Sequence, residues 1–173
     1  YTKPAYEHYA SLVELYDLNF VGRQATGDDP FDIKDVPYGN AFTIGSLEKE
    51  MHGTHVAGIA MATRNNGKGM NGVAKNVKLL SVRTVPTGDE YDKDVALAIR
   101  YAVDNGAKVI NMSFGKAYSP FKERVDEAVK YAESKGVLLI HAAGNDNKNV
   151  DEKDKLPCAD YKNGGKCSTW LEI

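Results

Sequence analysis

Lys108-Val109-Ile110-Asn111-Met112-Ser113-Phe114 and Val137-Leu138-Leu139-Ile140, with residues 119–136 between them, decide the architecture. Both ends are unbroken apolar runs rather than alternating ones. A strand apolar at inward and outward positions alike is buried on both faces, as parallel sheets are. The intervening residues predict a helix opened by Ser119-Pro120, with Phe121, Val125, Val129 and Ala132 on its inner face and Gly136 at its end. Working outward, Val77–Val82 predicts another strand, and Asp92 caps a helix whose inner face is Val95, Ile99, Ala102 and Val103, ended by Gly106. Residues 52–63 are small and apolar and predict a buried helix. Trp170-Leu171-Glu172-Ile173 begins a last, interrupted strand. Helices and strands alternate, so the fold class expected is α/β: a three-layer parallel sheet with helices on both faces and right-handed crossovers. In such sheets sites form beyond the carboxyl ends of the strands, where Ser113-Phe114-Gly115 and Gly144-Asn145 lie.

Residues 1–50 have a different character. Tyr9, Leu12, Val13 and Tyr16 recur at helical spacing within 4–18, and 20–50 are dense in Gly, Pro, Asp and Asn. The expected organisation is an N-terminal helix and irregular insertion over 1–50, followed by a domain over 51–173. The composition is that of a globular protein, 42% hydrophobic and 27% charged. A formal net charge of -2, from 22 Lys+Arg and 24 Asp+Glu, gives no electrostatic reason to bind nucleic acid or an anionic membrane. No apolar run reaches the roughly 20 residues of a membrane span. Cys158 and Cys167 flank Asn163-Gly164-Gly165, so a hairpin turn brings them towards each other. A disulfide across it and two free thiols are the alternatives.

Three short stretches carry chemistry. His52-Gly53-Thr54-His55-Val56-Ala57-Gly58 opens the small-residue helix. The positive end of a helix dipole disfavours a second proton on an imidazole, and a neutral imidazole is what a general base needs. A lone histidine there is more often structural, and two histidines three apart lack a third metal ligand. Val109–Gly115 reads on its own as a buried strand, and Ala142-Ala143-Gly144-Asn145 as a strand-end turn. Gly67-Lys68-Gly69-Met70-Asn71-Gly72 fits the dinucleotide pattern, but it follows a helix and precedes a strand, the wrong context.

Together, in this order, the three stretches resemble the subtilisin-like (subtilase) serine peptidases; the likeness spans residues 51–145. By that resemblance His52 corresponds to the catalytic base and His55 to the family's structural histidine. Ser113, Phe114 and Gly115 would pair with an extended substrate, Phe114 would line a pocket, and Ala143 and Gly144 would leave room for a substrate side chain. Asn145 would donate a hydrogen bond to the oxyanion. His141 departs from the aliphatic residue expected there. No Asp-Ser/Thr-Gly precedes His52, since Asp17, Asp28, Asp29, Asp32 and Asp35 all lack that setting, and no Gly-Thr-Ser-Met-Ala occurs. Two of the triad residues are therefore unmatched. The expectation is an internal piece of a serine endopeptidase, inactive by itself, acting on polypeptides together with the remaining parts of its catalytic domain. The alternative is a non-catalytic peptide- or protein-binding module. The family implies an exported bacterial protein, secreted, periplasmic or at the cell surface. No cofactor is implied beyond a calcium ion in the loop after the His52 helix, for which Asn65, Asn66 and backbone carbonyls would serve.

Overall fold

The computed structural model describes residues 23, 27–34, 39–45, 51–85, 88–152 and 155–173. The helix expected over 4–18 lies outside them. The chain divides into two units, Tyr1–Tyr38 and Gly39–Ile173, a boundary some dozen residues before the expected one. In the first unit, Asp28 is buried and pairs with Arg23 at 2.6 Å. There Asp29 and Asp32 each accept the backbone N–H two residues on, at 2.8 Å. Such side-chain turns compete with helix and sheet, and they account for irregular backbone in an aspartate-rich stretch.

The second unit contains α1 (His52–Met61), α2 (Asp92–Asp104), β1 (Val109–Met112), α3 (Lys122–Ser134), β2 (Leu138–His141) and β3 (Trp170–Glu172). The strands form one parallel sheet in the order β1-β2-β3, with Met112 opposite His141 and His141 opposite Glu172. Helix α2 packs on α3, and α3 packs on β2. The core is Val95, Ala96 and Ile99 of α2, Val125, Ala128, Val129 and Ala132 of α3, and Leu139 of β2. Gly106 and Gly136 end the two helices as expected. Each has positive φ, and the residue after each donates its N–H back to a carbonyl in the last turn, Ala107 to Ala102 and Val137 to Ala132, both at 3.0 Å.

Three expectations need correction. Asp92 does not cap α2; Tyr91 holds that position and Asp92 is the first helical residue. Its buried carboxylate instead accepts from Ser119 Oγ and from the N–H of Phe121, each at 2.8 Å, and pairs with Lys116 at 2.9 Å. It therefore ties the entry of α3 to the start of α2. The sheet is the parallel one expected, but incomplete: among the described residues Met112, Leu139 and His141 are buried on one face, while Val109, Leu138 and Leu171 on the opposite face are exposed. Val77–Val82 forms no ladder among the described residues, and Val77, Leu79 and Leu80 are exposed. Helix α1 forms as predicted but contains no buried residue. The apolar runs left exposed share one cause. An apolar run becomes a buried strand or helix only when another element covers it.

The end of α1 is nevertheless specific. Gly72, Val73 and Ala74 run back along it, donating to the carbonyls of Ala62, Ile59 and Ala60 at 3.0, 3.0 and 2.8 Å. A Cβ on the buried Gly72 would lie 2.5 and 2.6 Å from the backbone of Met61. Close backbone approach, not phosphate binding, is what the last glycine of 67–72 provides.

Candidate active-site cleft

His52 stands at the mouth of α1, at the positive end of the helix dipole. The helix opens without a side-chain cap, and the N–H of His55 returns to the carbonyl of Met51 at 2.9 Å. His52 and His55 are both exposed, and neither side chain makes a hydrogen bond among the described residues.

The cleft residues come from the sheet. The parallel register Met112↔His141 carries two segments off the same end of neighbouring strands. One is Ser113-Phe114-Gly115 and the other Ala142-Ala143-Gly144-Asn145. The second is held in line on both sides: the N–H of Ala142 donates to Met112 at 3.2 Å and that of Ala143 to Ile173 at 2.7 Å. At Gly144 the backbone takes φ +92°, a conformation that favours glycine, and turns outward. Asn145 is left exposed just beyond the strand end, with its side chain unengaged among the described residues. On the first segment, Ser113 Oγ accepts from Asn111 Nδ2 at 2.8 Å. Ser113, Phe114, Gly115, Ala143 and Gly144 are therefore brought side by side. No described hydrogen bond or ion pair ties His52 to them.

A third segment closes this end of the sheet. Lys116 and Leu156 exchange both backbone hydrogen bonds at 2.9 Å, which lays residues 155–156 alongside Gly115-Lys116. The side chain of Lys155 then covers both glycines. A Cβ on Gly115 would meet Lys155 Cγ at 3.0 Å, and one on Gly144 would meet Lys155 Cδ at 2.8 Å and crowd its Nζ. Lys155 Nζ lies 3.7 Å from the exposed carboxylate of Asp146. Nothing in the sequence singled Lys155 out; it is one lysine in a polar, turn-rich tail.

His141 forms the floor. It is 1% exposed, and its Nδ1 lies 2.8 Å from Glu172 Oε1, while Trp170 Nε1 donates to Glu172 Oε2 at 2.7 Å. Phe114 meets the imidazole edge-on, with ring centres 6.5 Å apart, and Trp170 packs at 5.4 Å. The other ring nitrogen, Nε2, is buried without a hydrogen-bond partner and lies 3.1 Å from where a Gly115 Cβ would stand. The departure at position 141 thus places a polar atom under the cleft.

In the loop after α1, asparagine side chains bond to the backbone. Asn66 Oδ1 accepts from the N–H of Lys68 at 3.0 Å and Asn71 Oδ1 from that of Asn65 at 2.8 Å, so the amide oxygens serve the loop's own backbone. Among the described residues no three His, Cys, Asp or Glu are grouped to hold a metal. Of the two alternatives for Cys158 and Cys167, the structure has the thiols: both are buried and they are not joined by a disulfide. The hairpin pairs Asp160 with Lys166, and the N–H of Cys167 donates to Ala159. Cys158 therefore sits one step out of register with Cys167, and neighbouring positions of a ribbon face opposite sides.

A model of the subtilase family matches residues 28–171. The chain is 38% identical over 144 residues to a thermophilic serine proteinase of Bacillus sp. (strain AK1), a match covering 73% of this chain and 34% of that protein. It is 41% identical over 119 residues to a subtilisin of Bacillus sp. (strain TA39), covering 65% and 28%. The chain thus spans about a third or less of the length of these curated relatives. Among solved structures, a psychrophilic protease aligns with TM-score 0.56 at 36% identity, over 70% of this chain and 38% of that one. The protease domain of PatA aligns with TM-score 0.58 at 26% identity, over 77% and 45%.

Proposed function

Since the chain belongs to the subtilase family, we propose that it forms the His52 and Asn145 portion of a serine endopeptidase that cleaves polypeptides. The observation that carries this is the shared strand end: an unengaged amide side chain stands beside a glycine-lined cleft, next to a strand terminus that an extended peptide can join. His52 takes the proton of a seryl nucleophile and delivers it to the leaving amine. Asn145 Nδ2 donates to the oxyanion as charge develops on the scissile carbonyl.

The nucleophile and the aspartate that orients His52 belong, in this proposal, to parts of the catalytic domain beyond these 173 residues. The open sheet face, with Val109, Leu138 and Leu171 exposed, supports such a partner, as does the uncovered helix α1. Contiguous apolar surface of this kind is a contact surface in soluble proteins. Export from a bacterial cell completes the proposal. It is supported by bacterial relatives, and no described helix is long and apolar enough to cross a membrane.

The test is a fluorophosphonate probe applied to the full-length protein and to this 173-residue chain. Labelling of one serine in the former, none in the latter, and loss of labelling in His52→Ala are expected. A full-length protein that binds peptides but is neither labelled nor able to cleave them would instead be a binding module.

A further inference from the structure

The geometry points to a substrate with an acidic side chain, Glu or Asp, on the residue whose carbonyl is attacked, with Lys155 as the residue that selects it. This rests on the peptidase function proposed above and names its substrate class.

The placement follows from Asn145. If its amide holds the oxyanion, the scissile carbonyl lies beside Asn145, and the side chain of that carbonyl's own residue branches one bond away. It must then fall into the space next to Gly144 and Gly115. Lys155 fills that space, with Nζ against Gly144 and its stem against Gly115. Both glycines are needed for it to lie there, because any Cβ would strike it.

An ammonium in a cleft between two backbones, its side chain 23% exposed, presents three donors and no acceptor. Its ion-pair partner among the described residues, Asp146, is 57% exposed and 3.7 Å away, a weak pair that an incoming carboxylate can replace. The floor agrees in polarity. His141 Nε2 is a buried polar nitrogen without a hydrogen-bond partner among the described residues, and it faces the same space. A bulky apolar side chain would have to displace Lys155 and would offer its ammonium no acceptor, which discriminates against it. A basic side chain would meet like charge.

The experiment uses the full-length protein and a peptide series differing only at the residue before the scissile bond: Glu, Gln, Ala, Phe and Lys. The expected kcat/KM for Glu exceeds that for Gln by about tenfold to a hundredfold, the range of a close, desolvated charge pair. In Lys155→Met the Glu-to-Gln ratio falls to near one, and in Lys155→Glu the preference turns towards Lys. Cleavage without an acidic preference, or with a preference that Lys155→Met leaves intact, overturns the specificity and leaves the peptidase function standing. Failure to cleave any member, with no fluorophosphonate labelling, overturns both.

Discussion

His141 and Glu172 stand opposite each other on β2 and β3, and the Nδ1 of one lies 2.8 Å from Oε1 of the other. The same carboxylate takes the indole N–H of Trp170 at 2.7 Å, so one acidic residue satisfies two donors behind the cleft. Replacing Glu172 by Leu removes both bonds at once. A buried donor left without a partner costs about 1–3 kcal/mol, so Glu172→Leu is expected to lower the urea midpoint of the full-length protein clearly. Glu172→Gln keeps an acceptor oxygen and should lose less. Equal midpoints for wild type and Glu172→Leu would show that the pair does not hold the floor together.

Gly72 makes a second, purely steric prediction. Its neighbours are backbone atoms of Met61 at 2.5 and 2.6 Å from an added Cβ, and backbone does not rotate away as a side chain does. Gly72→Ala must therefore push residues 72–74 off the end of α1 and stretch three hydrogen bonds. Overpacking of this kind costs about 1–3 kcal/mol. Thermal unfolding of the variant should show a Tm several degrees lower, and faster amide exchange at Val73 and Ala74.

Much of this was legible in the chain itself, and the misses have a common origin. Periodicity located α2 and α3, Gly106 and Gly136 marked their ends, and the apolar runs located β1, β2 and β3. Such signals are local and depend on residues three or four apart. Val77–Val82 has the same apolar signal as β1 yet pairs with no strand among the described residues, because pairing depends on a neighbour that its own sequence does not encode. Asp92 carries a cap signal but turns to Ser119 and the N–H of Phe121, nearly thirty residues on. Lys155 reaches the cleft through the exchange of hydrogen bonds between Lys116 and Leu156, again a long-range event. His141 was noticed as a departure, but its pairing with Glu172 needed the register of β3.

Glu90 supplies the pH dependence. Burial holds its carboxyl above the ordinary value, against the opposing pull of a backbone hydrogen bond and of Lys116, and one carboxyl oxygen has no partner. The folded state therefore binds the Glu90 proton more tightly than the unfolded chain does. Between the ordinary value of about 4.3 and the raised one, the native state carries more protons, so stability falls as pH rises through that window. Glu90→Gln fixes the neutral form. The variant should lose less stability than wild type when urea unfolding is repeated from about pH 4 to pH 7. A parallel decline in both proteins would assign the effect to another group.

The thiols give a chemical check on the hairpin. With Cys158 and Cys167 out of register, alkylation in denaturant without reductant should modify both, and peptide mapping should recover each separately. A cross-linked peptide containing the two would require a different pairing from Asp160 with Lys166.

Asn145 bears the largest expected effect on rate. Its side chain makes no described hydrogen bond and projects from the turn that Gly144 sets, so replacing it removes no packing and leaves β2 untouched. Asn145→Leu should therefore leave Tm near wild type. Its role, if it holds the oxyanion, belongs to the transition state, where charge appears on an oxygen that is neutral in the bound substrate. KM should then change little and kcat fall about 10²–10³-fold, a magnitude measured on a subtilisin rather than on this chain. A rise in KM at constant kcat would instead make Asn145 a ground-state contact. Unchanged kinetics would remove it from the site.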